Sequence, residues 1–394
     1  MTSNVVLCCA LRTAIGTYGG ALKDVPAADL GSSVIRTSIE RAKLKGSDIG
    51  TVVMGQVVQA GAKMNSARQA AVKAGIPVDV PAMTINRVCG SGAQAIATAA
   101  QEVMLGFVDS AIAGGMENMD QSPYLMSGAR WGYRMGDAQI YDSMLRDGLN
   151  DAFCDKHSGW VTEDLVAKFQ IGREAQDRWA CRSQTRFGEA QAARKFEAEI
   201  VPIEVPSRKG PSVFAKDEHN RPDTTLEALA KLKPAFRKDG TVTAGNAPGL
   251  NSGAAAMIVA NADWAEKHGL MPMARLVAYG VGAVEPGMFG LGPVPAVRQA
   301  LERAGWKLVD IERVEVNEAF AAIVLAIIQE LGLPEDIVNV EGGAIAYGHP
   351  IGATGAVLTT RVLHAMQREG VRRGLVTLCI GGGQGVALAL EAMH

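Results

Sequence analysis

Apolar residues open the chain as a short run, Val5 to Leu11, too brief for a membrane span and suited to a buried first β-strand. A second pattern recurs. SIERAKLKGSDIGTV (38–52) and ALERAGWKLVDIERV (300–314) each read as the end of an amphipathic helix, a short turn and an apolar strand. Superposing them pairs Glu40 with Glu302, Arg41 with Arg303, Ala42 with Ala304, Asp48 with Asp310 and Ile49 with Ile311, a constant offset of 262. Carried along the chain, that offset takes Cys89 to position 351, two residues from His349. Both sites open helix-like runs. In the first, the extended AMTINRV leads into CGSGAQAIATAAQEVMLG and the strand-like AIAGG; in the second, GGAIAYGHPIGATGAVLTTRVLHAM precedes LVTLCIGGG.

Each of these two helices begins with small residues: Gly90, Ser91, Gly92 and Ala93 in one, Gly352, Ala353, Gly355 and Ala356 in the other. Small side chains there suit a helix crowded by sheets on two sides. The pattern therefore predicts an α/β protein of two similar halves around central buried helices. Residues 120–249 break it with more charge, Pro and Gly and with short helical segments such as REAQDRWACRSQTRFGEAQAARKF, the texture of an inserted domain. TVTAGNAPGLNSGAAAMIVA then returns to a glycine-rich turn and an apolar strand. The expected organisation is a first half at 1–119 and 250–271, an inserted loop domain at 120–249, and a second half at 272–394.

Composition narrows the class. With 48% apolar and 20% charged residues and a formal charge of −2, the chain is ordinary globular protein, without the basic excess of a nucleic-acid binder. No uninterrupted apolar stretch approaches eighteen residues, so no membrane association is expected. The six cysteines lack both the paired spacing of a zinc site and the density of a disulfide scaffold, which points to a reducing, cytoplasmic setting. Cys8, Cys9, Cys154 and Cys181 read as small packing residues. Cys89 and Cys379 differ because each adjoins a glycine cluster.

A cysteine attacks as thiolate, and a helix N-terminus beside a histidine favours that form. Cys89 fits such a placement, with a thiol pKa lowered from ~8.5 into the range ~3.5–7.5 and its own N–H free to face a developing oxyanion; the competing reading is a cysteine packed in the core. His349, followed by Pro350 at the start of a helix, suits a base for that thiol, or alternatively a cap or a satisfied core histidine. Cys379 ends an apolar strand and enters IGGGQG, where the amide of Gly381 is unobstructed. The first cysteine can carry an acyl group while the second moves a proton at the α-carbon of a thioester. Such chemistry needs neither metal nor organic cofactor. Asn317, in NEAFAA, can orient a water or an oxygen, or simply cap a helix.

Taken together, INRVCGSG, NEAFAA, GGAIAYGHPIGATGA and CIGGGQG resemble the thiolase family over essentially the whole chain. The resemblance implies a five-layered αβαβα fold, an inserted domain that holds coenzyme A, and acetyl-CoA C-acetyltransferase activity in which coenzyme A is substrate and product rather than cofactor. It further implies that Cys89 is acylated, that His349 activates it, and that Cys379 is the acid and base at the substrate carbon. Asn317 would hold a water that shares one oxyanion hole with His349, and the amides of Cys89 and Gly381 would form the other. Substrate contacts are implied for Leu149, His157, Ser158, Ala247, Pro248, Ala319 and Phe320, with Arg221, and secondarily Arg208 and Lys209, toward the nucleotide end.

Ser158 and Pro248 stand where the bacterial acetoacetyl-CoA branch has Met and Ser. This implies a less apolar, roomier acyl pocket and a lost hydroxyl against the pantetheine arm. Residues 120–138, with SGARWGYRMGD, resemble the family's tetramer-forming loop, implying a homotetramer. Ketoacyl synthases and hydroxymethylglutaryl-CoA synthase share a nucleophilic cysteine but lack the CIGGG cysteine. A longer or more polar acyl preference, and an acyl-CoA-binding protein without turnover, are the remaining alternatives.

Overall fold

The computed structural model describes residues 4–206 and 210–393, so Arg208 and Lys209 lie outside the described residues. The first half contributes β1 (Val5–Thr13), α1 (Ala27–Arg41), β2 (Thr51–Gly55), α2 (Ser66–Lys73), β3 (Ala82–Ile85), α3 (Ser91–Met104) and β4 (Ser110–Asn118). After a long excursion that carries α4 (Ser158–Phe169) and α5 (Arg173–Ala192), the chain re-enters this half as β5 (Asn251–Asn261). The second half then runs through β6 (Ala274–Ala283), α6 (Pro293–Ala304), β7 (Arg313–Val316), α7 (Ala321–Leu331), α8 (Thr354–Glu369), β8 (Arg373–Ile380) and β9 (Gln384–Ala392).

Strand order shows the repeat directly. The first half is ordered β3-β2-β4-β5-β1 and the second β7-β8-β9-β6, with Val338 bridging in parallel to Val314 where β3 would lie. Polarity repeats as well: β2 is parallel to β4 as β7 is to β8, and β4–β5 is antiparallel as is β8–β9. The halves join edge to edge where Val6 faces Arg275 and Leu7 faces Ala274. Even the turns match. The Lys45 amide donates to Asp48 Oδ2 at 2.7 Å, and the Lys307 amide to Asp310 Oδ2 at 2.8 Å.

Between the two sheets lie α3 and α8, each touching strands of both halves, with α1 and α2 outside one sheet and α6 and α7 outside the other. That is the expected five-layer αβαβα stack. The central helices approach closely because glycines face the contact. A Cβ on Gly355 would stand 2.3 Å from the Ala93 nitrogen, and one on Gly92 would stand 2.6 Å from the Ala356 nitrogen. This packing sets the N-terminal ends of the two helices side by side. Among the described residues, no helix is long and apolar enough to cross a membrane.

Candidate active site

Cys89 sits at the mouth of α3 on a turn that the sequence pattern did not reveal. Val88 before it has φ 44°, a left-handed conformation that a β-branched residue adopts only under constraint. Three hydrogen bonds hold it there. Asn86 Oδ1 accepts from the Val88 amide at 2.9 Å, while Ser91 Oγ accepts from the Arg87 amide at 2.8 Å and donates to the Val88 carbonyl at 2.6 Å. Cys89, the next residue, lines a cavity of about 430 Å³.

His349 reaches the same cavity from the other half. Its amide donates to Asn251 Oδ1 at 2.9 Å, which ties its loop to the start of β5. Gly348, at φ 105°, is needed there because a Cβ would collide with the Asn251 side chain at 2.4 Å. On the ring, Nε2 lies 3.3 Å from Asn317 Nδ2, and Nδ1 lies 2.6 Å from Thr354 Oγ1. Gly381 and Gly382 line the cavity beside Cys89, and Cys379 is buried behind them, within electrostatic reach of Cys89. Asn317 is fully buried behind His349, and its Oδ1 has no hydrogen-bond partner.

Electrostatics correct one expectation. Cys89 is partly exposed to the cavity, yet desolvation pushes its thiol up to about 11 rather than down. The N–H groups of Gly381 and of Cys89 itself oppose that shift, and the nearby Glu117 adds to it. The helix begins two residues later, at Ser91, so its terminus does not outweigh burial. Burial also raises Cys379 far above a normal thiol and lowers His349 to about 4. Burial thus favours a neutral thiol and a neutral imidazole in the one cavity.

The remaining predicted residues divide clearly. Leu149, His157, Ser158, Ala247, Pro248, Ala319 and Phe320 all line the cavity. His157 Nδ1 accepts from the Gly159 amide at 3.0 Å, so this histidine also caps α4, and its ring stacks on Phe236 at 4.5 Å. Gly159 must lack a side chain because a Cβ would lie 2.2 Å from that ring. The Asn246 carbonyl accepts from the Ala321 amide at 3.0 Å and so joins the turn before Ala247 and Pro248 to NEAFAA. Arg221, by contrast, is exposed and does not line this cavity; its amide donates to Gln184 Oε1 at 2.8 Å.

Sequence reasoning missed Phe236 and Phe289 as cavity walls, because isolated aromatics in an irregular segment carry no motif. It also missed two buried carboxylates. Glu117 accepts amides from Val57 (2.9 Å), Val58 (3.3 Å) and Gly352 (2.9 Å), clamping the His349 turn to the first half; burial raises it to about 8. Glu318 accepts from Trp179 (2.9 Å), Ser183 (2.8 Å), Asn339 (3.0 Å) and the Ile345 amide (3.0 Å), pinning α5 to the second half beside Asn317.

A thiol, Cys89, and an imidazole, His349, from different halves thus line one apolar cavity, with a second thiol, Cys379, buried behind its Gly381–Gly382 wall, an arrangement that suits chemistry through a covalent thioester. Comparison with known proteins fixes the family. Residues 5–263 match the model for the thiolase N-terminal domain and residues 270–392 that for the thiolase C-terminal domain, and the chain belongs to the thiolase family. It is 51% identical to an acetyl-CoA acetyltransferase of Chromobacterium violaceum over 98% of this chain and 99% of that one. The crystal structure of the Bacillus anthracis acetyl-CoA acetyltransferase superposes with a TM-score of 0.97 at 44% identity, covering 100% of this chain and 99% of that one. Human mitochondrial 3-ketoacyl-CoA thiolase in complex with CoA does so with a TM-score of 0.96 at 41% identity, covering 100% and 99%.

Proposed function

We propose that this chain is an acetyl-CoA C-acetyltransferase that works through an acyl group on Cys89. In thiolysis, His349 Nε2 takes the Cys89 proton as the sulfur attacks the 3-oxo carbon of a 3-oxoacyl-CoA. The bond between C2 and C3 breaks, leaving the acyl group on Cys89 and an acetyl-CoA enolate that Cys379 protonates. Coenzyme A then gives its thiol proton to the Cys379 thiolate and its sulfur attacks the acyl carbon, while the departing Cys89 sulfur takes back the proton held by His349; condensation is the reverse. The amides of Cys89 and Gly381 stabilise the oxyanion on the acyl carbon. His349, with a water held by Asn317, stabilises the enolate oxygen. Side chains and amides suffice for each step, so no metal or organic cofactor enters.

The observation that carries this reading is the convergence of two thiols and a neutral imidazole, with two backbone amides at the Cys89 sulfur. The test separates the two cysteines. Cys89→Ala is expected to abolish acetoacetyl-CoA thiolysis, while Cys379→Ala still takes an acetyl label from acetyl-CoA onto Cys89 without condensing it. Thiolysis that survives loss of Cys89 would sink the mechanism. Tight binding of coenzyme A with no acetyl exchange would favour an acyl-CoA-binding role instead.

A second reading, preference for a longer or more polar acyl chain, is favoured by Ser158 on the cavity wall. Rates across acetoacetyl-CoA and longer 3-oxoacyl-CoAs decide between them. Arg221 is proposed to meet the nucleotide end of coenzyme A, a reading its exposure supports. The assembly is proposed to be a homotetramer, a dimer of dimers.

A further inference from the structure

We infer that Thr354 is a positioning residue that determines which nitrogen of His349 carries the proton and which carries the lone pair. The inference rests on the reading of His349 as the base of the thiolase reaction. Thr354 is the first residue of α8, where its side chain turns back over the preceding residues. Its Oγ1 lies 2.8 Å from the Pro350 carbonyl and 2.6 Å from His349 Nδ1, and both contacts are buried.

A hydroxyl has one hydrogen to give and two lone pairs with which to accept. The Pro350 carbonyl can only accept, so the Thr354 hydrogen goes to it. Toward the imidazole, Oγ1 is then an acceptor. Nδ1 therefore carries the proton and Nε2 carries the lone pair. The other side of the ring agrees, since Nε2 faces Asn317 Nδ2, a donor, at 3.3 Å. The opposite tautomer would set N–H against N–H there unless the Asn317 amide turned over to offer its otherwise unpaired Oδ1, so it is the Thr354–Pro350 bond that decides the tautomer.

Thr354 acts twice in the reaction. In the resting site it keeps Nε2 free to take the Cys89 proton. Once that proton is transferred, the Nδ1–H bond to Oγ1 becomes charge-assisted and holds the imidazolium in place. The hydroxyl is not needed to start the helix. The Pro350 carbonyl also accepts the amides of Ala353 and Thr354, both at 2.9 Å, so loss of the hydroxyl leaves that carbonyl paired while Nδ1 loses its partner.

The test compares Thr354→Val with Thr354→Ser. In 15N-histidine-labelled protein, with the His349 signal assigned by its loss in His349→Asn, wild type and Thr354→Ser are expected to show Nδ1 protonated and Nε2 bare. Thr354→Val should shift population to the Nε2–H form. Its kcat for acetoacetyl-CoA thiolysis should fall about tenfold, the scale of one net hydrogen bond, while Thr354→Ser stays within about twofold of wild type. An Nε2-protonated ring in wild type, or an unchanged tautomer and rate in Thr354→Val, would overturn the assignment. Should wild type prove inactive in thiolysis, the functional reading falls, while the tautomer measurement still decides what Thr354 does to the ring.

Discussion

The chemistry of this site depends on residues held away from their preferred states. Val88, which precedes Cys89, stores on the order of 1–3 kcal/mol at positive φ. His349 gives up its charge on burial, and the consequence for stability has a definite sign. Its native pKa of about 4 lies below the ordinary 6.5, so between those values the unfolded chain binds more protons and stability falls as pH falls. At pH 5 that penalty is about 2 kcal/mol, and above about pH 7 it vanishes. His349→Asn, which cannot protonate, should therefore lose less stability than wild type when urea midpoints are compared at pH 7 and pH 5. Parallel losses in the two proteins would mean that His349 is charged in the folded state. The groups proposed to react were legible as candidates in the sequence because Cys89, His349 and Cys379 are each framed by glycines. The residues that hold them were not. Asn251, Glu117 and Thr354 act through contacts that no local pattern encodes, and the raised thiol of Cys89 reflects burial by remote chain.

At the scale of elements, the site exists because two helix starts from different halves lie together, and glycine makes that approach possible. The repeat was readable from five matched residues, since each half must build the same helix, turn and strand with the same capping carboxylate at Asp48 and Asp310. Strand order and the edge joint between β1 and β6 were not readable, because pairing between distant strands leaves only an apolar pattern. The helix contact gives a prediction. Gly355→Ala places a methyl 2.3 Å from the Ala93 nitrogen and 2.9 Å from its Cβ, with no flexible side chain to yield. Overpacking of this kind costs about 1–3 kcal/mol. Because it pushes apart the helices that follow Cys89 and His349, kcat should fall along with the melting temperature. Gly287→Ala, which meets nothing within 4 Å, should leave both unchanged to within about 0.5 kcal/mol in stability. Equal behaviour of the two variants would remove the role given to the helix contact.

Across the whole molecule, apolar surface is distributed unevenly, and its position bears on assembly. The excursion between β4 and α4 exposes Tyr124, Trp131 (87%), Met135 (97%) and Ile140, side chains that an isolated protomer has no reason to present to water. A second surface surrounds β3, the outermost strand of the first half, where Met64, Val78 and Met83 are exposed. An open edge strand beside apolar side chains is a ready site for pairing with another copy. Two separate patches fit a dimer of dimers, with the edge strand joining one pair and the excursion joining pairs. If the proposed tetramer forms this way, replacing Trp131 and Met135 together with serine should convert it to a dimer at micromolar concentration, as read by light scattering. Neither Trp131 nor Met135 lines the cavity, and both are exposed, so melting at a fixed oligomeric state and the acetylation of Cys89 should be retained. A variant that remains tetrameric would show that the excursion does not hold the assembly together, and one that falls directly to monomers would assign it the role here given to the edge strand.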